Sequence, residues 1–572
     1  MTRSPGRSVD RIDTDTERTP LLAGTPTPTA STSTRSLSPN TTITNDDDND
    51  DNDAAATANP NHPLTHLRAV LRPRVILLSM FLIFLLELAI GMYLPPANAI
   101  MESIICRQMH PDVFLPPSPP SLSPSPSPNL TTISTISTIS TTVPSMRHYA
   151  GGIVLVDDPA CKQPDVQGYL AMLRGWGMTF DCLPGIVGAV PYGILSDRWG
   201  RRPVLGLGVV GLVGSLGFNL LVFYFSDVVP LWATWLSSGF QLIGGGGTIV
   251  VAMFYTAVAD VVPSAERATV FFQLAGVFLA SQMIAGPLGG AMLIWNPWIP
   301  LLVALAVLVI ANLGVLAFPE TVHVHDRKET EEEQEQEEDG DGVSRTAKLW
   351  QKTRVGLAGV WDFVLGNKRL AFLMVSLTFV VFGRFVGELL LQYATDRYGW
   401  SWSTASMVLT IRNGGSLVTL LAVLPVMSWF CTRRLDMAVV AKDLWLARWS
   451  GVVQIVGSLT IAAAANGSLF SIGLVWYALG SGMSSLIRSL LNALVEEHHV
   501  GTVNSLVGFM ETVGMTMAGP LLAKSLSIGL NLGGAWIGLP FITAGLFFIV
   551  ATAILWMFGL PNERRISVEP SC

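Results

Sequence analysis

Charge is scarce in this chain. Asp, Glu, Lys and Arg make up 13% of its 572 residues, half of the residues are hydrophobic, and the mean hydropathy is +0.47. That balance excludes an ordinary soluble domain. There is no net basic charge of the kind a nucleic-acid binder carries; the formal charge is −7. Cysteine is nearly as sparse, five in all, with no C-x-x-C and no His-rich cluster, so a structural metal site is not expected. His498-His499, after Glu496-Glu497, lacks metal-ligand spacing. No G-x-x-x-x-G-K-[ST] occurs, which removes ATP as an energy source. Gly206-Leu-Gly208-Val-Val-Gly211 satisfies G-x-G-x-x-G but lies inside an apolar run and follows no strand; it is read as helix-packing glycine. Neither a cofactor nor an enzymatic reaction is expected.

What the chain has instead is long hydrophobic runs. Stretches of about 20 apolar residues mark membrane-crossing helices. Twelve are read here: 75–95, 167–192, 203–225, 231–258, 268–294 and 298–318, then 370–394, 403–428, 449–465, 470–491, 503–529 and 535–558. The first follows a polar tail of more than sixty residues and is too long for a signal peptide. The acidic net charge is misleading. Six acids crowd into Asp46–Asp53 and nine into Glu329–Asp341, and setting those fifteen aside turns −7 into +8. Arg68, Arg72, Arg74, the Arg198–Arg202 group, Arg267, Lys368, Arg369, Arg433, Arg434, Lys442, Arg448, Arg564 and Arg565 then share one side of the twelve-helix map. That side, with both termini and the 319–369 linker, is read as cytosolic. Asp396-Arg397 is an exception, a charged pair on the other side.

Between the second and third runs stands Gly193-Ile-Leu-Ser-Asp197-Arg198-Trp-Gly200-Arg201-Arg202. Glycine permits close approach and a tight reversal, Asp197 falls near a helix end, and three arginines face the basic side. Every defined position resembles the loop between helices 2 and 3 of the major facilitator superfamily, G-x-x-x-D-[RK]-x-G-[RK]-[RK]. Asp260…Glu266-Arg267 and Phe318-Pro-Glu-Thr321 are also similar to loops of that family. The resemblance implies an all-α membrane protein with twelve helices in two six-helix pseudo-repeat halves. The chain repeats accordingly. Ala285-Gly-Pro-Leu288 recurs as Ala518-Gly-Pro-Leu521, Thr269-Val270 as Thr502-Val503, and Arg201-Arg202 as Arg433-Arg434, at offsets of 232 to 233. The expected plan is a disordered tail 1–66, a first half 67–318, an acidic linker 319–369, a second half 370–558 and a tail 559–572. Gly193, Asp197, Arg198, Gly200, Arg201 and Arg202 would form a gate, with Asp197 latching to the start of helix 11.

The tail 1–66 is too polar to fold. It holds Glu17-Arg-Thr-Pro-Leu21-Leu22, a short acidic dileucine pattern of endosomal or vacuolar sorting; the plasma membrane is the first expectation and those membranes the second. The outer loop 103–166 carries Pro/Ser and Thr/Ser/Ile tracts and a glycosylation sequon at Asn129. Cys106 and Cys161 bracket it on the oxidising side, where a disulfide and two free thiols are both open. The long loop with these cysteines, together with Lys442-Asp443-Leu-Trp-Leu-Ala-Arg448, resembles a fungal subgroup of drug and secondary-metabolite exporters distantly similar to proton-coupled folate-type carriers.

Charges inside the membrane mark chemistry, because each costs about 2.5–3.5 kcal/mol at a helix centre. Six are singled out: Glu87 in helix 1, Asp181 in helix 2, Arg384 and Glu388 in helix 7, Arg412 in helix 8 and Glu511 in helix 11. Arg384 and Glu388 are spaced i, i+4 and would pair on one helical face. The resemblance implies that helices 1, 4, 7 and 10 line a central cavity, placing Glu87, Arg384 and Glu388 on the substrate path. It places Asp181, Arg412 and Glu511 where the halves meet. Gly286-Pro287-Leu-Gly289-Gly290 in helix 5 is similar to the core of a drug–proton antiporter motif and would kink the helix; Gln282 and Gln273 stand where the fuller motif has glycine. In helix 4 the family's usual arginine is missing from Phe240-Gln241-Leu-Ile-Gly244. The expectation is a monomeric secondary transporter of a small organic molecule working by alternating access. Protons are its coupling ion and export its favoured direction. Uptake or vacuolar exchange of a nutrient or vitamin, and a non-transporting membrane sensor, are the alternatives.

Overall fold

The computed structural model describes residues 63–114, 147–155, 158–321, 368–495 and 500–559. The N-terminal tail to residue 62, Asn129 with its flanking tracts, the Glu329–Asp341 run, His498-His499 and the tail from residue 560 lie outside the described residues.

Among the described residues twelve helices are long and apolar enough to cross a membrane. The first six are Leu71–Met109, Pro164–Trp199, Arg201–Tyr224, Leu231–Val261, Val270–Leu293 and Trp298–Leu316. The second six are Arg369–Glu388, Trp402–Arg434, Val439–Ala463, Gly467–Ala493, Leu506–Leu532 and Gly534–Met557; they are numbered helix 1 to helix 12 in order. In hydrocarbon every backbone group must find its partner within the segment, which the helix alone provides here. The bundle turns apolar side chains outward as well as inward. Leu302, Leu313 and Leu316 of helix 6, and Leu546, Trp556 and Met557 of helix 12, stand exposed where acyl chains would cover them.

Several boundaries differ from the sequence reading. Helix 1 continues to Met109 instead of stopping at 95, despite Pro95 and Pro96. The outer loop therefore begins at 110 rather than 103, and its described parts are short: Pro111–Phe114, a two-stranded ribbon pairing Arg147–His148 with Val154–Leu155, and Pro159–Lys162. Helix 9 starts at Val439, so Lys442 and Arg448 are helical. Arg448 donates to the carbonyls of Leu555 at 2.9 Å and Phe558 at 2.8 Å, which satisfy a cation at the membrane edge.

Helices 4, 7, 8 and 10 are interrupted. Helix 4 opens as a 3-10 segment and breaks at Gly244–Gly246, where all three φ values are positive, a conformation that favours glycine. The break lies against helix 3: the backbone of Gly244 meets that of Gly208, and Gly211 meets the carbonyls of Ile243 and Phe240. The glycines of Gly206–Gly211 thus serve helix packing, as their setting implied. Helix 7 tightens to 3-10 at Phe385–Glu388, helix 8 loosens to a π turn at Thr419–Val423, and helix 10 breaks at Gly480–Gly482. Helix 5 runs continuously through Pro287.

The halves meet along two seams, helix 2 with helix 11 and helix 5 with helix 8. A Cβ on Gly175 would fall 2.6 Å from Ala523 Cβ, and one on Gly519 would fall 2.6 Å from Gly175 O. Thr179 donates to Thr516 O at 2.8 Å on the same seam. On the other, Gly290 presses on Ser406 and Ser403. The repeated Ala-Gly-Pro-Leu segments therefore do the same job twice, each placing glycine against the opposite half. These contacts lie toward the face that carries Cys106 and Cys161, here called the disulfide face. Toward the opposite, basic face, Val187 of helix 2 is 64% exposed and Val426 of helix 8 is 61% exposed. Among the described residues the tight glycine contacts between the halves lie toward the disulfide face.

Candidate translocation site

Glu87 is buried in helix 1, and its Oε2 accepts Gln282 Nε2 of helix 5 at 3.1 Å. The carbonyl of Gln282 accepts Asn413 Nδ2 of helix 8 at 3.4 Å, and Asn413 Oδ1 accepts Arg412 Nε at 3.1 Å. A polar chain thus runs from a first-half carboxylate to a second-half guanidinium inside the bundle. Arg412 also packs over Gly387, which leaves no room for a side chain there.

Arg384 and Glu388 form no ion pair. Their i, i+4 stacking presumes continuous α-helix, and the chain leaves that geometry at Phe385. Arg384 is exposed, while the carbonyl of Glu388 accepts Arg174 Nη2 of helix 2 at 3.3 Å. Asp181 is anchored within its own half, accepting Ser238 Oγ at 2.6 Å and Gln241 Nε2 at 2.8 Å. Gln241 follows the position where the family pattern has arginine, and a neutral amide donor serves the carboxylate instead. Glu511 likewise stays in its own half, 2.7 Å from Arg488 of helix 10. Of the six charges singled out, Glu87 and Arg412 are linked across the halves by way of the Gln282 backbone carbonyl, and Asp181 and Glu511 bond within their own halves.

Three charged residues at this level escaped the sequence reading: Arg174, Arg488 and Glu102. Arg174 and Glu102 fall within a few turns of helix ends, where charge is common. Arg488 sits in an amphipathic stretch whose polar side is the cavity itself.

At the basic face the Gly193–Arg202 segment is tied into the first half. Arg201 pairs with Asp197 one turn earlier and donates through Nε to Asp260 Oδ2 at 3.3 Å, while Thr321 Oγ1 donates to the same Asp260 oxygen at 2.9 Å. Glu320 accepts the backbone N–H of Arg201 at 2.8 Å and of Arg202 at 3.2 Å. Arg198 ends helix 2, and Gly193 has open space where a Cβ would stand. The expected latch from Asp197 to helix 11 is not made among the described residues. Asp197 is 66% exposed and pairs with Arg201.

Gly200, at φ +107, leaves no space for a Cβ beside the Glu320 carboxylate. Gly200→Ala should cost about 1–3 kcal/mol, from backbone strain and the displaced carboxylate. That is read as a lower midpoint of thermal unfolding in detergent; an unchanged midpoint would show that the turn rearranges freely.

Cys106 and Cys161 are joined in a disulfide with their Cα atoms 5.1 Å apart, which settles the choice the sequence left open. Among the described residues no cluster of His, Cys, Asp and Glu could hold a metal ion.

Among the described residues, twelve helices able to cross a membrane, in two halves that meet along two seams around interior charges, define the fold of a multi-pass membrane transporter. Residues 135–519 match the Major Facilitator Superfamily, and the chain belongs to that family. It is 33% identical over 385 residues to an efflux pump, ustT, of Aspergillus flavus, covering 65% of this chain and 74% of that one. It is 31% identical over 414 residues to an MFS efflux pump, atnC, of Emericella nidulans, covering 72% and 79%. It is 28% identical over 481 residues to an MFS-type transporter, avaK, of Aspergillus versicolor, covering 83% and 90%. Among solved structures the fold is similar to the nucleoside transporter NupG, with a TM-score of 0.54 at 12% identity over 85% of this chain and 100% of that one. It is also similar to a D-xylose–proton symporter, with a TM-score of 0.53 at 13% identity over 84% and 98%. At those identities the likeness concerns the fold.

Proposed function

We propose that the chain exports a small organic molecule from the cytosol, working as a monomer that takes protons in return. Similarity to fungal efflux pumps supports the direction and the class of cargo, a secondary metabolite. The clustering of arginines at the basic face supports calling that face cytosolic. The plasma membrane is then the natural site for export, and the cytosolic side is where cargo enters.

The observation that carries proton coupling is the chain from Glu87 through Gln282 and Asn413 to Arg412. Charged Glu87 accepts the Gln282 amide and so ties helix 1 to helix 5, whose Gln282 backbone carbonyl meets Asn413 of helix 8. A protonated Glu87 is a weaker acceptor, so the tie between helix 1 and helix 5 loosens beside that contact between the halves. One titration thereby biases the relative position of two rigid bodies, which alternating access requires.

The test is made in two stages. Untargeted metabolite profiles of cells with and without the protein should show a compound retained inside when it is absent and enriched in the medium when it is present. Proteoliposomes loaded with that compound should then extrude it when the disulfide-face compartment is acidified. An unchanged profile on both sides of the membrane would overturn export, and accumulation inside cells that carry the protein would show uptake.

A further inference from the structure

On the disulfide face one buried carboxylate gathers donors from both halves. Glu102 of helix 1 accepts Lys162 Nζ at 2.5 Å and Gln167 Nε2 through one oxygen, and Trp402 Nε1 at 2.5 Å through the other. Trp402 begins helix 8, in the opposite half. A second junction lies alongside, where Gln392 Nε2 after helix 7 donates to Gln167 O at 2.8 Å and to Gln167 Oε1 at 3.1 Å. The disulfide is what brings Lys162 here: Cys161 precedes it and is bonded to Cys106, one helical turn beyond Glu102. Together these contacts shut the face.

Asp396 lies beside this cluster and is left out of it. Both of its carboxylate oxygens are buried, and neither has a hydrogen-bond partner. The ionisable groups that face it are Lys162 and Glu102. Lys162 is already committed to Glu102, and Arg397 of the same helix turns away to the Gly534 carbonyl. The start of helix 8 (401–406) and the turn Gly534–Gly538 bring no ionisable side chain, and Asp165 of helix 2 is paired with His110 at 2.9 Å. An ionised carboxylate without a donor is a costly thing to bury.

We propose that Asp396 is a proton-binding site loaded from the disulfide face, and that its protonation lets the Glu102–Trp402 and Gln392–Gln167 junctions close. The proposal rests on the alternating-access reading. Burial pushes the Asp396 carboxyl well above the usual carboxylate range; Lys162 draws it back only in part, and Glu102 adds to the rise. With the face open, Asp396 meets water and loses that burial penalty, so closure takes up a proton and the closed state gains as the pH falls. This proton enters and leaves by one face. It therefore differs from a proton carried across on Glu87, and it sets how readily external acid resets the emptied carrier.

Closure can be read without cargo, so its failure is separable from failure of the transport reading. In a Cys182→Ser, Cys431→Ser background, Ser403→Cys, buried where helix 8 meets Gly290, is labelled from the disulfide face by a membrane-impermeant maleimide. Rates are normalised at each pH to Val228→Cys on the same face, where residue 228 is 84% exposed. With Asp396 present, normalised labelling should slow at least fivefold from pH 8 to pH 5. In Asp396→Asn it should be slow at both. Asp396→Ser, smaller and equally unable to titrate, should behave as Asn does. The same pH dependence in these variants, or none with Asp396 present, would overturn the proposal.

Discussion

Glu87→Gln is expected to lower acid-driven export at least a hundredfold while leaving cargo exchange across a membrane without a pH gradient nearly intact. Gln keeps the shape of Glu and can still accept the Gln282 amide, so the bundle loses no packing. It cannot change charge. A coupled cycle needs the carboxylate to alternate between a form that holds helix 5 through the Gln282 amide and a form that releases it. Exchange needs only the loaded carrier to move back and forth. A hundredfold loss is about 2.7 kcal/mol on the coupled step. Asp181→Asn is the comparison to make beside it. Asp181 is held by Ser238 and Gln241 within a single half, so its loss should slow both modes only a few-fold. If Glu87→Gln abolished driven export and exchange equally, Glu87 would be a cargo ligand or a structural anchor instead of the coupling site.

Much of the fold was legible because membrane physics writes it plainly. Runs of about 20 apolar residues, a one-sided arginine pattern and the ten residues Gly193–Arg202 gave twelve helices, their alternation and the family. Periodicity misled where the helix departs from α geometry. Nothing in the composition of 385–388 announces a 3-10 turn, so Arg384 and Glu388 were placed on one face they do not share. Gln282 is the opposite case. It looked like a departure from an antiporter motif, yet it is the side chain that holds Glu87. The oddity was visible, but its partner was not, because 195 residues separate them. Asp396 was noted, with Arg397, as a charge on a face whose short loops are otherwise nearly uncharged. Its lack of partners depends on how helix 7, helix 8 and the Pro159–Lys162 segment converge, which no local pattern encodes.

The glycine seams carry the other large effect. Closure at the disulfide face requires helix 2 and helix 11 to meet backbone to backbone, with Gly175 against Gly519 and Ala523. A branched side chain has no low-energy way to fit, because the groups it would strike are backbone and the Cβ of alanine and not the ends of flexible chains. Gly175→Val should therefore hold the face apart and abolish net transport. The same Ser403→Cys assay distinguishes a wedged gate from a damaged protein. Labelling from the disulfide face should rise at least tenfold and lose its dependence on pH, because protonating Asp396 cannot close a seam that is physically blocked. Gly217→Val in helix 3, where a Cβ meets nothing within 4 Å, should leave both transport and labelling as they were. Lost transport with labelling still slow in Gly175→Val would show that the seam is not the moving part. The gate would then have to be sought at Gly290 and Ser406, where helix 5 meets helix 8.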